Sequence, residues 1–518
     1  MLAPTNKQQK SQTTSVPAPV GGLNNRDSIA NMPPTDALVL DNIFCNTTSV
    51  NSRNGSVNWT TGITGWVETV AGYNSTTASK LFAAAGANIY DITIQGAVGA
   101  AVVTAQTSAR YQFTNFQNIA GTQYLVMVNG ADKLLLFDGA TWTKVDSGST
   151  PAITGVTTSN LIHVNNFKNR LWFVEKNTFN AWYLPLNAIA GAATVFPLGS
   201  LFKLGGSLQA MVSWTIDSNY GVDDYAAFVS TQGEVVVYKG YDPSFAASWA
   251  LVGVYRIGRP IGRRFYTRVG PDVIAITADG VVSLSKQLLA ERSQPEDTLS
   301  YKIINSITND VQSYANNFGW QPILYPIGNK IIINVPSAEN NTQYQYVMNT
   351  ITGAWSTFGK NATPWLSACY ETLGDNLYYG GNGVVVLADT GSDDNGSVIS
   401  IEVKPAFSYF QEPGRLKFFT LVRPIFTANG NITPSYVLDL DFSNSNPVAN
   451  TSYTSSGTAW NTVLWNTSPW SNISQIRKSW LVANGVGYSA SFHMKANIKG
   501  IMFGLQSIDY AYEYGGVI

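Results

Sequence analysis

Five arginines lie close together between Tyr255 and Arg268, and no acidic residue interrupts them in a chain that is otherwise poor in charge. Guanidinium groups pair with phosphates and with the carboxylates of a partner, so the group could contact DNA or a neighbouring subunit. The alternative is a set of salt bridges to acids elsewhere in the chain: Asp217, Asp223, Asp224 or Glu234. The sequence therefore marks one candidate DNA-lumen or subunit-contact patch: Arg256, Arg259, Arg263, Arg264 and Arg268.

Few other groups are suited to nucleophilic or metal chemistry. His163 and His493 each lie in alternating, strand-like sequence, which favours a structural histidine over a general base. Cys45 and Cys369 are far apart, and two buried free thiols are favoured over one disulfide. No zinc-ligand pair at short spacing, phosphate-binding glycine loop or nucleophile elbow occurs. We predict no catalytic residue, no metal and no cofactor.

Several acidic segments match parts of known motifs. Asp389-Thr390-Gly391 matches the aspartic-protease tripeptide, but no second copy exists. The spacing of Asp389, Asp393, Asp394 and Asn395 does not fit a calcium loop, so turn residues are favoured. Asp138–Trp142 is similar to part of the sialidase Asp-box without its leading serine, and with Asn349–Trp355 it is predicted to be a turn. Two carboxylates brought together by folding would suffice for glycoside hydrolysis, and this alternative stays open.

Composition limits the classes of protein further. The chain has 518 residues, a formal net charge of −1, 45% apolar residues and only 12% charged residues, about half the usual ~25% share. Near-zero net charge argues against a dedicated nucleic-acid binder, and the apolar content permits a large core. Residues 1–22 read as a flexible arm without a secretory apolar region. No stretch approaches the ~20 apolar residues that a membrane helix needs, so we expect no membrane insertion.

The elements that position these residues are predicted to be short strands. Paired strands separated by Gly, Asn or Asp turns recur, 44 to 58 residues apart, with first strands at Phe82, Val126, Trp172, Phe228, Ile274, Ile332 and Tyr378. A unit of about 45 residues is the size of a four-stranded propeller blade, which cannot cover both of its own faces. We therefore predict an all-β fold with a β-propeller of about seven blades over residues 71–400. A β-sandwich array is the alternative.

Three segments depart from the repeat. Apolar residues spaced three and four apart predict an amphipathic helix over Tyr301–Phe318, packed against the blades. A shorter helical turn is predicted at Asp36–Asp41. Residues 401–518, with longer alternating strands and tryptophans at 460, 465, 470 and 480, are predicted to form a separate antiparallel β-domain.

The N-terminal segment carries a recognisable string. It contains Gly21-Gly22-Leu23-Asn24, then Met32-Pro33, Asp36-Ala37, Leu40-Asp41-Asn42 and Arg53-Asn54-Gly55. This string resembles the N-terminal region of tail-nozzle or tail-hub proteins of short-tailed bacteriophages, also called tail tubular protein B or packaged-DNA stabilisation protein. The resemblance continues at residues 301–355 and at the closing Ser507-Ile508-Asp509-Tyr510.

This resemblance implies a structural virion protein and not an enzyme. Such proteins form a hexameric ring below the portal and adaptor, continue the DNA channel, retain and then release the genome at ejection, and abut a fibre, spike or plug. Carried over, residues 23–70 would join residues 401–518 in a platform, with localisation in the virion tail after assembly in the host cytoplasm. The alternative is a carbohydrate-binding or carbohydrate-cleaving propeller, tailspike- or lectin-like, which 14 Trp and 26 Tyr favour.

Overall fold

The computed structural model describes residues 11–217, 222–289, 295–453 and 475–515, and strands dominate this part of the chain. The all-β prediction is therefore confirmed. The chain begins with five short strands: β1 (Gln12–Pro17), β2 (Gly22–Leu23), β3 (Asp36–Asp41), β4 (Ile43–Cys45) and β5 (Val50–Ser52).

Two predictions about this beginning are wrong. The segment Asp36–Asp41 is the strand β3 and not a helical turn, because its backbone pairs with a strand near residue 403, and this outweighs the local preference. Gln12–Pro17 is the strand β1 and not part of a flexible arm, because its Thr and Val residues suit a strand and pair with the C-terminal strand from Ser507 to Tyr512.

The next strand joins two sheets. The following elements are β6 (Ser56–Asn74), β7 (Ser79–Ala85), β8 (Asn88–Asp91), β9 (Gly96–Ala97) and β10 (Ala101–Val103). Residues 67–74 of β6 pair with β7, whereas residues 56–66 pair with a strand near residue 385. Since β6 belongs to these sheets from Ser56 onward, the chain leaves the N-terminal group of strands earlier than the predicted residue 70.

Three separate antiparallel sheets of four strands, and a four-stranded antiparallel part of a larger, ten-stranded sheet, are arranged like the blades of a β-propeller. The first comprises β11 (Gln112–Gln117), β12 (Gln123–Val128), β13 (Leu134–Phe137) and β14 (Trp142–Val145). Then come β15 (Ile153–Thr154), β16 (Leu161–Phe167), β17 (Arg170–Glu175), β18 (Asn180–Tyr183), β19 (Gly191–Ala192) and β20 (Thr194–Pro197). The second blade is β16-β17-β18-β20, and β19 pairs with β15. The third is β21 (Leu208–Asp217), β22 (Val222–Ser230), β23 (Glu234–Gly240) and β24 (Trp249–Arg256).

A three-stranded sheet and two helices separate these blades from the fourth. The elements are β25 (Tyr266–Val269), β26 (Asp272–Thr277), β27 (Gly280–Ser283), α1 (Leu284–Leu289) and α2 (Ile304–Tyr314). The fourth blade is β28 (Gln321–Tyr325), β29 (Lys330–Ala338), β30 (Thr342–Asn349) and β31 (Trp355–Phe358). The predicted helix is confirmed in kind, with Ile307 and Val311 buried against the neighbouring sheets, but it ends at Tyr314 and not at Phe318.

Apolar packing between sheets explains this arrangement. All four residues of β13 are buried, so its sheet is apolar on both faces and has to be covered from both sides. Between the second and third blades, Trp172 stacks on Trp249 with ring centroids 5.6 Å apart, and Phe228 completes the cluster. The propeller prediction is thus confirmed as a propeller-like arrangement.

The remaining strands complete the molecule. They are β32 (Cys369–Leu373), β33 (Asn376–Gly380), β34 (Asn382–Ala388), β35 (Ile399–Pro405), β36 (Lys417–Ala428), β37 (Ser435–Leu440), β38 (Ala449–Asn450), β39 (Gln475–Arg477), β40 (Leu481–Gly487), β41 (Ala490–Ile498) and β42 (Phe503–Tyr514). Strands β35–β42 and β1–β5 lie in two sheets, and side chains from both chain ends share one apolar core. We call this part the terminal sandwich. The sheet that contains β3 and β35 continues into the fourth blade, because β3 also pairs with β31. Trp460, Trp465 and Trp470 lie outside the described residues.

Candidate functional site

Two cavities lie where the first strands of the sheets meet. The wider cavity has a volume of about 710 Å³ and is lined mainly by residues near β6, β10, β11 and the end of α2. The narrower cavity has a volume of about 510 Å³ and is lined by β6, β11, β25, β28 and β32. Arg264 and Gln112 line both cavities, so they lie at the boundary between them.

The Arg264 side chain ties distant parts of the chain together. Its Nη1 donates to the carbonyl of Glu68 at 2.9 Å, and its Nη2 donates to Thr69 Oγ1 at 2.6 Å and to the carbonyl of Tyr111 at 2.9 Å. The guanidinium also lies 5.4 Å from the ring centre of Phe318. Burial lowers the pKa of Arg264. Because these bonds go to backbone carbonyls and a hydroxyl, Arg264 fixes the geometry of the sheets around it and is not presented to a DNA phosphate.

The other predicted arginines do not form one patch. Arg263 Nη1 donates to the carbonyl of Asn129 at 3.0 Å, and Arg268 Nη2 donates to the carbonyl of Ser213 at 3.1 Å. Arg256 and Arg259 are exposed to solvent.

Two of the acids considered as their partners have closer partners elsewhere, although Asp224 also interacts electrostatically with Arg268. Asp224 pairs with Lys168 at 2.5 Å, and the carboxylate of Glu234 accepts hydrogen bonds from the backbone amides of Lys203 and Leu204. The side chains of Asp217 and Asp223 lie outside the described part of the structure.

An ion-pair network that the sequence analysis missed lines the wider cavity. Arg110 Nη2 lies 2.9 Å from Glu68 Oε1 and 2.5 Å from Glu339 Oε1. Its guanidinium stacks over Phe318 at 4.2 Å from the ring centre. The partners are up to 229 residues apart in sequence, so no local pattern indicates this cluster.

Glu371 on β32 is the second group that the sequence analysis missed. It contributes a carboxyl group to the wall of the narrower cavity. Burial raises the pKa of Glu371 to about 8, although a backbone amide at Thr372 and the charge of Arg264 act in the opposite direction. At neutral pH this carboxyl group is therefore mostly protonated and can donate a hydrogen bond.

The two histidines are buried and bonded, which agrees with structural roles. His163 Nε2 lies 3.0 Å from the Tyr266 hydroxyl, and burial lowers the pKa of His163 to about 4. His493 Nε2 lies 2.8 Å from Glu402 Oε1, and its Nδ1 lies 3.0 Å from the carbonyl of Ser445.

The acidic segments are structural as well. Asp389, from the protease-like tripeptide, forms a buried pair with Lys330 at 2.5 Å. Asp394 accepts two hydrogen bonds from the buried guanidinium of Arg53, at 2.9 and 2.5 Å. Within the described ranges, no group of His, Cys, Asp and Glu is placed to hold a metal ion. The prediction that these aspartates are turn residues is confirmed, since residues 389–397 form the bend and turn between β34 and β35. The ion pairs of Asp389 and Asp394 were not predicted, because the cations come from distant parts of the chain.

Both predicted turns are confirmed. Asp138 Oδ1 accepts from the amides of Ala140 and Thr141 between β13 and β14, and Trp142 begins the fourth strand of its blade. Asn349 Oδ1 accepts from the amide of Ile351 between β30 and β31. The same Asx turn thus closes the third and fourth strands of two blades.

The N-terminal string forms the joint between the terminal sandwich and the blades. Gly22 has φ +83°, and a Cβ there would lie 2.6 Å from the backbone nitrogen of Trp355. The buried carboxylate of Asp36 accepts from Asn24 Nδ2 at 2.8 Å and pairs with Lys302 at 2.8 Å. These residues place the chain end against the fourth blade and the turn before α2.

The second half of the string acts in the same way. Arg53 holds Asp394, and a Cβ on Gly55 would come within 1.8 Å of the carbonyl oxygen of Asp393. Only glycine permits this close approach. Five residues of the string, Gly22, Asn24, Asp36, Arg53 and Gly55, therefore take part in a packing joint.

Cys45 and Cys369 are buried free thiols, as predicted. Burial raises the pKa of both, to about 12 and about 11 respectively, so neither is set up as a nucleophile. In the part of the chain described, no helix has the length and apolar character needed to cross a bilayer.

No family model matches the chain, and no curated protein gives a significant match. Among solved structures, BBS1N in complex with ARL6DN is 9% identical, with 65% of this chain and 97% of that chain covered and a TM-score of 0.39. The β-propeller domain of Cps50 (Swd1) from Myceliophteria thermophila is 10% identical, with 65% and 98% covered and a TM-score of 0.38. The extracellular domain of the hybrid two component system BT3049 from B. thetaiotaomicron is 10% identical, with 89% and 64% covered and a TM-score of 0.41.

Proposed function

We propose that this chain is a structural tail protein of a short-tailed bacteriophage, a nozzle or hub whose propeller is joined to a platform made from its two ends. The observation that carries the proposal is the terminal sandwich. Strands β1–β5 pair with β35–β42 and share their core, and the residues that fasten this sandwich to the blades are those of the N-terminal string. The platform of the proposed nozzle corresponds to this terminal sandwich.

We further propose that the propeller has seven blades and closes on itself. The first strands of the sheets contact one another in a circular order, except that β21 contacts the second strand of the next sheet: β6 with β11, β11 with β16, β16 with β21, β21 with β26, β25 with β28, β28 with β32, and β32 with β6. Seven apolar clusters lie between successive sheets in the same order. β6 supports closure because it pairs with both β7 and β34, so that one strand links the first and last sheets.

The surface of the terminal sandwich supports assembly. The outward face of the sheet around β36 exposes apolar side chains on neighbouring strands: Phe418 at 43%, Ile476 at 60%, Val482 at 64% and Val486 at 53%. Phe418 and Val486 are directly opposite each other on β36 and β40. Such a face suits a subunit or adaptor contact. A net charge of −1 suits a hexameric channel wall along which DNA slides without being retained.

A nonsense mutation in the gene, grown on suppressing and non-suppressing hosts, tests this proposal. We expect that particles made without the protein package DNA but lose it and do not infect. Purified full-length protein added to the extract should restore DNA retention and infectivity. Particles that keep their DNA and infect without the protein would contradict a nozzle role.

A further inference from the structure

The narrower cavity has the dimensions and lining of a small-molecule site. Its volume of about 510 Å³ falls within the ~300–1,000 Å³ of ligand pockets. Its walls are partly apolar, from Val70, Phe113, Ile323 and Leu324, and Arg264 bounds one side. A ligand here would therefore meet both apolar surface and a small set of polar groups.

Two of these polar groups have donors to spare. Arg268 is exposed, donates from Nη2 to the carbonyl of Ser213 and interacts electrostatically with Asp224. Among the described contacts this is its one hydrogen bond, and a guanidinium has five N–H donors, so others can face a ligand. Glu371 is the one acid among the described residues that line the cavity, and as a protonated acid it is a donor too. With two arginines and an uncharged carboxyl group, the lining is positive at neutral pH.

We propose that the narrower cavity binds a small acidic sugar of the hexuronate type, whose carboxylate pairs with Arg268 while Glu371 hydrogen-bonds a ring hydroxyl. A guanidinium fork binds a carboxylate through two parallel hydrogen bonds. The apolar walls suit the C–H face of a sugar ring, whereas the oxygens of an inorganic anion would face them without donors. The site lies within one chain, so this inference goes beyond the proposed tail function and does not depend on ring assembly.

Isothermal titration calorimetry on the full chain at pH 6.5 tests the proposal, with D-galacturonate, D-glucuronate, D-galactose and inorganic phosphate as probes. A charge-assisted bidentate pair predicts that the uronates bind at least about tenfold more tightly than galactose. Arg268→Gln should remove this preference, and Arg268→Lys, which keeps the charge without the fork, should reduce it. Arg259→Gln, an exposed arginine outside the cavity lining, is the matched control and should leave binding unchanged.

The pH dependence gives a second readout. Above pH 8, Glu371 ionises and repels the ligand carboxylate, so uronate affinity should fall between pH 7 and pH 9, and Glu371→Gln should remove this fall. The other ionisable groups around Glu371 keep their charge in this range. Arg264 and Arg268 are guanidinium groups, which are not deprotonated in proteins. Burial raises the pKa of Tyr266, Tyr370 and Cys369, so these three groups stay neutral.

Several results would overturn the proposal. These are no uronate binding up to about 10 mM, equal binding of galactose and galacturonate, or Arg268→Gln binding uronates like the wild type while remaining folded. Phosphate that competes with galacturonate at equal affinity would instead identify a simple anion site and equally overturn it.

Discussion

Replacing Glu371 by Gln should change how the stability of the fold depends on pH. Gln keeps the shape of the side chain and removes its titration. In the unfolded chain the carboxyl group has a pKa near 4.5, whereas burial in the narrower cavity raises it to about 8. Between these values the folded state holds a proton that the unfolded state has released, so the free energy of unfolding of the wild type falls as the pH rises.

The magnitude follows from the two pKa values. Each pKa unit corresponds to about 1.36 kcal/mol, so the difference between the folded and unfolded pKa of Glu371 stabilises the fold by at most about 5 kcal/mol. This stabilisation is fully present below pH 4.5 and is lost by pH 8. The Glu371 side chain is partly exposed to solvent, which reduces this figure, and we expect a difference of about 2–4 kcal/mol between pH 5 and pH 9. Urea denaturation of the wild type and Glu371→Gln at pH 5, 7 and 9 measures it.

The variant should become more stable relative to the wild type as the pH rises. Glu412→Gln, which alters a side chain that is 46% exposed, is the control and should show a pH-independent difference. If the difference between Glu371→Gln and the wild type stays constant within about 0.5 kcal/mol from pH 5 to pH 9, the assignment of Glu371 as a half-buried, protonated acid is wrong.

Three further predictions concern the joint and the buried histidine. Gly55→Ala should lower the free energy of unfolding by about 3 kcal/mol or prevent folding, because the added Cβ overlaps the carbonyl of Asp393. Gly99→Ala is the control: Gly99 has open space around it, so this change should alter stability little in the same denaturation assay. Arg53→Ala should lower the free energy of unfolding by about 3–5 kcal/mol because it leaves Asp394 unpaired. In a double-mutant cycle, adding Asp394→Asn should recover part of this loss. An equal loss with and without Asp394→Asn would contradict the pairing. The free energy of unfolding of the wild type should fall by up to about 3 kcal/mol between pH 6.5 and pH 4, because His163 is protonated in this range only in the unfolded state. Thermal scans of His163→Gln at the same pH values should lack this part of the loss. If the variant loses as much stability in acid as the wild type, the prediction is refuted.

The sequence predicts the fold class because strand patterns and turns are local. Trp142 and the Asx turn before it can be recognised within a few residues, and the helix that contains Ile307 and Val311 follows from its spacing. The helical turn predicted at Asp36–Asp41 fails because a strand partner about 360 residues away decides the backbone conformation.

The cavities could not be predicted in this way. Arg264 was recognised as one of a group, but its partners Glu68 and Tyr111 lie 196 and 153 residues away and meet it only when the sheets come together. Glu371 looks like an ordinary polar strand residue. Its raised pKa depends on burial by side chains from other sheets, which no local pattern contains.

Negative-stain electron microscopy of the purified full-length protein, over a range of concentrations and together with its co-expressed adaptor, tests the central claim most directly. A structural nozzle predicts closed rings of several copies around an open lumen, with the terminal sandwiches in contact. Isolated single-chain particles under all of these conditions would contradict it.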